Sequence, residues 1–111
     1  MAILGDMLEL AGHEASAHAE LGAAIAAEPR IDRAVFVGTA MAHAHEAMAD
    51  AGSSDRCVHV ASGDDLDTIR GEVLPGDCVL IKGSRGMALE RVIASLQTVP
   101  LARPADPARI A

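Results

Sequence analysis

Short unbroken apolar runs alternate along the chain with longer segments whose apolar residues recur at helical spacing. Ala2-Ile3-Leu4-Gly5 reads as a short buried strand. An Ala-rich segment follows, from about Glu14 to Glu28, with Ala17, Leu21, Ala24 and Ile25 on one face and Pro29 ending it. Arg33 to Gly38 is a continuous apolar run closed by glycine, as expected of a strand buried on both faces. Thr39 is placed to cap the next helix, Met41, Ala44 and Met48 form its apolar stripe, and Gly52 suits its end. Cys57 to Ala61 reads as a third strand. Ser62, with Asp65 three residues on, offers a variant capping box for a helix whose inner face is Leu66, Ile69 and Val73. Beyond the Pro75-Gly76 turn, Asp77 to Lys82 is the fourth strand. Gly83-Ser84-Arg85-Gly86 then turns into a last helix with Leu89, Val92, Ile93 and Leu96 on one face.

Four strand–helix repeats with apolar strands predict an α/β domain with a mostly parallel sheet and helices on both faces. The domain is expected over residues 1–99, and a Pro-rich tail over 100–111. Ligands of such sheets sit at the carboxyl ends of the strands. Here those ends are Gly5-Asp6, Gly38-Thr39, Ala61-Ser62 and Lys82-Gly83-Ser84-Arg85.

Composition sharpens this picture. Of the 111 residues 23 are Ala, with one Phe and no Trp or Tyr. At about 25 cal/mol per Å² of apolar surface buried, such small side chains predict a modest core and low stability for the piece alone. The net charge of −7 argues against nucleic acid or an anionic membrane as partner. No run reaches the roughly 18–20 apolar residues that span a bilayer, and the first residues lack a signal-peptide form, so the cytoplasm is expected. Cys57 and Cys78 are too few for a disulfide framework and are expected as buried reduced thiols.

Two segments carry candidate chemistry. Lys82, the only lysine, closes a strand just before a Ser84-Arg85 pair flanked by Gly83 and Gly86 at the start of a helix. Lysine, a hydroxyl, an arginine fork and helix-start N–H groups together suit a carboxylate or phosphate. Spacing alone leaves open an ordinary strand-to-helix turn with solvated charges, since no Walker pattern is present. After the first strand, Asp6 and Glu9 set carboxylates at the strand's ligand-facing end, where they suit an ammonium group; a loop that caps the Ala-rich helix is the alternative. The five histidines are expected in surface or structural roles, with no metal site. His13 and His18 are five apart, one too many for the zinc-protease pair, and His43 and His45 diverge.

Taken together, Ala2-Ile3-Leu4-Gly5-Asp6-Met7-Leu8-Glu9-Leu10 and Val79-Leu80-Ile81-Lys82-Gly83-Ser84-Arg85-Gly86-Met87-Ala88-Leu89-Glu90-Arg91-Val92 resemble the C-terminal domain of the Mur ligases. The likeness is to the UDP-N-acetylmuramoyl-tripeptide:D-alanyl-D-alanine ligase (MurF) family. It covers residues 2 to about 96, weakly in the middle. It implies a Rossmann-like, three-layer fold of the Mur ligase C-terminal type. It also implies a part in an ATP-dependent ligation: the precursor carboxylate is activated as an acyl phosphate and attacked by the amine of D-alanyl-D-alanine. Lys82, Ser84 and Arg85 match the family's substrate-contacting turn and Asp6 its Gly-Asp-Met loop; the resemblance implies substrate-binding roles for these four, and none is expected to be catalytic.

The resemblance is incomplete. No phosphate-binding loop is present, and the family's Tyr-Asn-Ala-Asn-Pro segment has no counterpart in a chain without Tyr. ATP and Mg are therefore expected mainly on a central domain that this chain lacks, and the chain alone is expected to be inactive. The expected partners are D-alanyl-D-alanine, UDP-N-acetylmuramoyl-tripeptide and the missing ATPase and N-terminal domains. A stand-alone α/β module binding an anion or nucleotide without ligase chemistry is the alternative, and a non-functional remnant a third reading.

Overall fold

The computed structural model describes residues 1–8, 11–84 and 89–98. Among the described residues four short strands alternate with four α-helices, with a 3-10 turn at Ser54–Arg56: β1 Ala2–Gly5, α1 Glu14–Ala26, β2 Ala34–Val37, α2 Ala42–Asp50, β3 Cys57–Val60, α3 Leu66–Glu72, β4 Leu80–Lys82 and α4 Glu90–Thr98. All pairings are parallel, in the order β3-β2-β1-β4. The α/β expectation is met. The expected tail, 100–111, lies outside the described residues.

Side-chain alternation divides the core into two layers. Ala2 and Leu4 of β1, with Ala34 and Phe36 of β2, pack with Ile25, Met41, Ala44 and Met48 of the α1/α2 side. Ile3, Val35, Val37 and Val60 point the other way, onto Ile69 and Val73 around α3 and Leu89 and Val92 around α4. Phe36, the single aromatic side chain, is fully buried.

Several local expectations need correction. The buried stripe of α1 is His18, Gly22 and Ile25; Ala24 is exposed and Ala17 only half-buried. A Cβ at Gly22 would lie 2.2 Å from the Ala44 carbonyl oxygen, so glycine is what lets α2 cross so near. Thr39 does not cap α2; the helix start has no cap from its own segment. For α3 the cap is Asp65, whose carboxylate accepts from the Thr68 N–H, while the Ser62 hydroxyl accepts from Asp64 N–H. Ile93 of α4 is 40% exposed, off the inner face.

The fourth strand is shorter than its apolar run. Asp77 is held in a turn, accepting from Leu74 N–H and from Arg33, and Cys78 precedes the ladder and is exposed rather than buried. Cys57 is buried, as expected, and burial pushes its thiol up from the ordinary value. Two helix ends are closed by identifiable groups. Gly52, at φ +77, ends α2 with Gly52 N–H bonded to Ala49 and Ser53 N–H to Met48. The Arg56 guanidinium gathers the carbonyls of Ile25, Ala26, Glu28 and Ile31 at the end of α1.

Candidate functional site

The strand order places the site. From β1 the chain crosses to β2 on one side, and β4 adds on the other. The carboxyl ends of β1 and β4 therefore flank the point where the connections diverge, where open α/β sheets bind ligands. Leu4 lies opposite Lys82 in the ladder, so Gly5-Asp6-Met7 and Gly83-Ser84 leave the sheet side by side. The two segments that the sequence singled out are neighbours in space.

Close approach here requires glycine. A Cβ on Gly83 would stand 3.2 Å from the Cα of Gly5 and 2.8 Å from Leu89. The strand ends are also bonded to each other: Ser84 N–H donates to the Asp6 carbonyl (3.3 Å), and Leu8 N–H donates to the Ser84 hydroxyl (2.8 Å).

A pocket of about 330 Å³ opens between them, lined by Leu4, Gly5, Met7, Leu21, Met41, Lys82, Gly83 and Ser84. Its walls are mainly apolar, from β1, α1 and the start of α2. The polar side chains in the lining are Lys82 and Ser84. Lys82 is exposed, and among the described residues no carboxylate forms an ion pair with it. The Ser84 hydroxyl accepts from Leu8 and keeps its own proton to donate.

Asp6 is placed differently from these two. It is 8% exposed, and its carboxylate accepts from Met41 N–H at 2.9 Å and Ala40 N–H at 3.3 Å. It thus does from another strand what Thr39 does not do locally: it satisfies the orphan N–H groups at the start of α2. Gly38, at φ +116, makes room, because a Cβ there would lie 2.4 Å from the Asp6 carboxylate. Arg85, Gly86 and Glu9 lie outside the described residues.

Of the histidines, His18 is fully buried, with its Nε2 accepting from Met7 N–H, and His59 bonds to the Gly38 carbonyl. Composition and spacing gave no sign of the His18 contact, because its partner is a backbone group of the loop. The described residues do not fit a magnesium site: the Asp6 carboxylate is occupied, and no three His, Cys, Asp or Glu side chains converge. Among the described residues no helix is long and apolar enough to cross a membrane.

Comparison with known proteins agrees with this fold. Residues 1–85 match the family described as Mur ligase, glutamate ligase domain. The chain is 37% identical over 102 residues to the UDP-N-acetylmuramoyl-tripeptide–D-alanyl-D-alanine ligase of Bacillus subtilis (strain 168), covering 91% of this chain and 22% of that protein. The ligase of the same name from Mycobacterium bovis is 36% identical over 110 residues, covering 86% of this chain and 21% of the relative. In fold, a crystal structure of MurF from Acinetobacter baumannii superposes with a TM-score of 0.75 at 24% identity, over 88% of this chain and 22% of that one. The chain thus spans about one fifth of the length of the curated relatives it matches. With the family match extending over β1 to β4 and both strand-end segments, the chain belongs to the Mur ligase family, as its C-terminal, glutamate ligase type of domain.

Proposed function

We propose that this chain serves as the C-terminal domain of a cytoplasmic ATP-dependent ligase that joins D-alanyl-D-alanine to UDP-N-acetylmuramoyl-tripeptide for peptidoglycan synthesis. Its own part is to receive the dipeptide. The observation that carries this reading is the pocket at the ends of β1 and β4, where a lysine and a serine stand over apolar walls. D-alanyl-D-alanine matches that combination, with a carboxylate at one end and two methyl groups along its body. A polyphosphate matches the walls poorly. Burying methyl groups against Leu4, Met7, Leu21 and Met41 contributes about 0.8 kcal/mol for each CH₂-sized group removed from water. The Lys82 ammonium and Ser84 hydroxyl hold the carboxylate, with Arg85, next in sequence, assigned to the same task. Asp6 acts by fixing the loop and the start of α2.

ATP and Mg belong, in this proposal, mainly to a separate domain, as does activation of the tripeptide carboxylate. This chain holds the nucleophile's carrier in place and leaves its ammonium end towards that domain. The test is kinetic. Joined to the remainder of the Bacillus subtilis relative in place of its matching segment, the chain should support ADP release that depends on D-alanyl-D-alanine. Lys82→Ala in that protein should raise the dipeptide KM roughly tenfold or more, the worth of one charge-assisted hydrogen bond, with a smaller change in kcat. An unchanged KM removes Lys82 from the site.

A further inference from the structure

We infer that His18 is a positioning residue for the strand-end pocket: its neutral imidazole pins the β1–α1 loop and, through it, aims the Ser84 hydroxyl. This inference rests on the pocket being the ligand site proposed above.

His18 is 0% exposed, in the first half of α1. Both ring nitrogens have partners. Nδ1 faces the Glu14 carbonyl oxygen at 2.5 Å, one turn back. A carbonyl only accepts, so the proton is on Nδ1. Nε2 meets Met7 N–H at 3.0 Å, so Nε2 is the bare acceptor. The two contacts select one neutral tautomer. A proton on Nε2 would set two donors against each other in a buried place.

The loop explains why this matters beyond packing. Three consecutive N–H groups are anchored by three different parts of the fold. Asp6 N–H donates to Val37 of β2, Met7 N–H to His18 of α1, and Leu8 N–H to the Ser84 hydroxyl after β4. Because peptide units are planar, fixing the Met7 N–H limits the orientation of its neighbours on either side. Met7 itself lines the pocket. Leu8 N–H in turn takes one lone pair of Ser84, which fixes the direction left for the hydroxyl proton. His18 therefore acts on a ligand it does not touch, through Met7, Leu8 and Ser84.

The experiment uses the whole 111-residue chain, labelled for NMR, with amide hydrogen exchange and titration of D-alanyl-D-alanine as readouts. His18→Leu fills the space but removes the acceptor. His18→Gln keeps an acceptor near the Nε2 position. In His18→Leu the amides of Met7, Leu8 and Ser84 should exchange roughly tenfold faster than in the wild type, the size of one net hydrogen bond, while Val35 and Phe36 keep their protection. Dipeptide affinity should fall by a similar factor. His18→Gln should recover most of both. Ser84→Ala should expose Leu8 N–H while leaving Met7 protected, and adding His18→Leu to it should weaken dipeptide binding by less than His18→Leu does alone, since only the part carried by Met7 remains.

Loss of protection at Met7 alone, with Leu8, Ser84 and dipeptide affinity unchanged, overturns the inference. So does uniform loss across the sheet in both His18 variants, which would make His18 a general core residue. If the wild type does not bind the dipeptide, the proposed function fails, while the exchange pattern at Leu8 and Ser84 still decides whether His18 positions the turn.

Discussion

Replacing Asp6 by alanine separates two roles that the same carboxylate could have, and the structure gives each a magnitude. As a cap, Asp6 holds Met41 N–H at 2.9 Å and Ala40 N–H at 3.3 Å in a place where it is 8% exposed. The shorter bond is charge-assisted and buried, a class worth about 1.5–3 kcal/mol, and the longer one adds less. Alanine also relieves the cost of keeping a carboxylate out of water, which offsets part of the loss. The net expectation is about 2 kcal/mol of lost stability, near the upper end for removal of a helix cap. For a domain of this size that lowers Tm by roughly 8–16 °C. Asp6→Asn keeps one acceptor but turns its amide N–H groups towards a donor, so about 1 kcal/mol is expected. Urea denaturation followed by far-UV circular dichroism reads both, since the chain has no Trp or Tyr for fluorescence. If Asp6 instead meets a ligand ammonium directly, both variants keep wild-type stability and lose only binding. An Asp6→Ala chain within about 0.5 kcal/mol of wild type refutes the capping argument.

Other substitutions follow from the same geometry. Gly22→Ala should destabilise the chain although alanine gains about 1 kcal/mol of helix propensity, because the new Cβ would stand 2.2 Å from the Ala44 carbonyl, an overpacking that costs about 1–3 kcal/mol; a higher urea midpoint contradicts this. Maleimide labelling at neutral pH should modify exposed Cys78 and spare Cys57, which burial keeps as a thiol; equal rates contradict it. Since the Cys57 value in the fold lies above its ordinary 9.0, the stability gained from a neutral thiol is present below 9.0 and is lost as pH rises through the higher value. The hydrogen bond from the Arg30 side chain holds the Glu28 carboxyl below its ordinary 4.5, so the small stability of this surface pair is present above 4.5 and disappears as pH falls through the lower value. Arg30→Gln should bring the Glu28 midpoint back towards 4.5 in an NMR titration, and an unmoved midpoint removes that cause.

The elements were legible where hydrophobic contrast is strong. Strands such as Ala34–Val37 stand out as unbroken apolar runs, and Met41, Ala44 and Met48 mark the inner face of α2 at helical spacing. Contrast fails in α1, where alanine occupies both faces and the true interior is a histidine, a glycine and one isoleucine. Gly22 is inside because α2 crosses there, which is a fact about another element. Caps failed for a related reason. Thr39 is a good local candidate, yet Asp6 reaches the same N–H groups from β1, and local pattern does not contain a partner 35 residues away. At β4, the run from Asp77 reads as strand, but Asp77 is drawn into a turn by Arg33 and Leu74. That the two singled-out segments would be neighbours was legible in outline, because the strand-end rule puts Gly5-Asp6 and Lys82-Gly83-Ser84 on one edge. What the sequence did not contain was the wiring: Ser84 to Leu8, and His18 to Met7.

The most direct test of the central claim is a titration of the isotope-labelled chain with D-alanyl-D-alanine, followed by amide chemical shifts. Perturbations should gather at Gly5, Met7, Leu8, Lys82, Gly83 and Ser84, and shrink sharply in Lys82→Ala. Shifts centred on the other strand ends, around Thr39 or Ser62, or the same response in Lys82→Ala, would contradict the assignment of the dipeptide to the junction of β1 and β4.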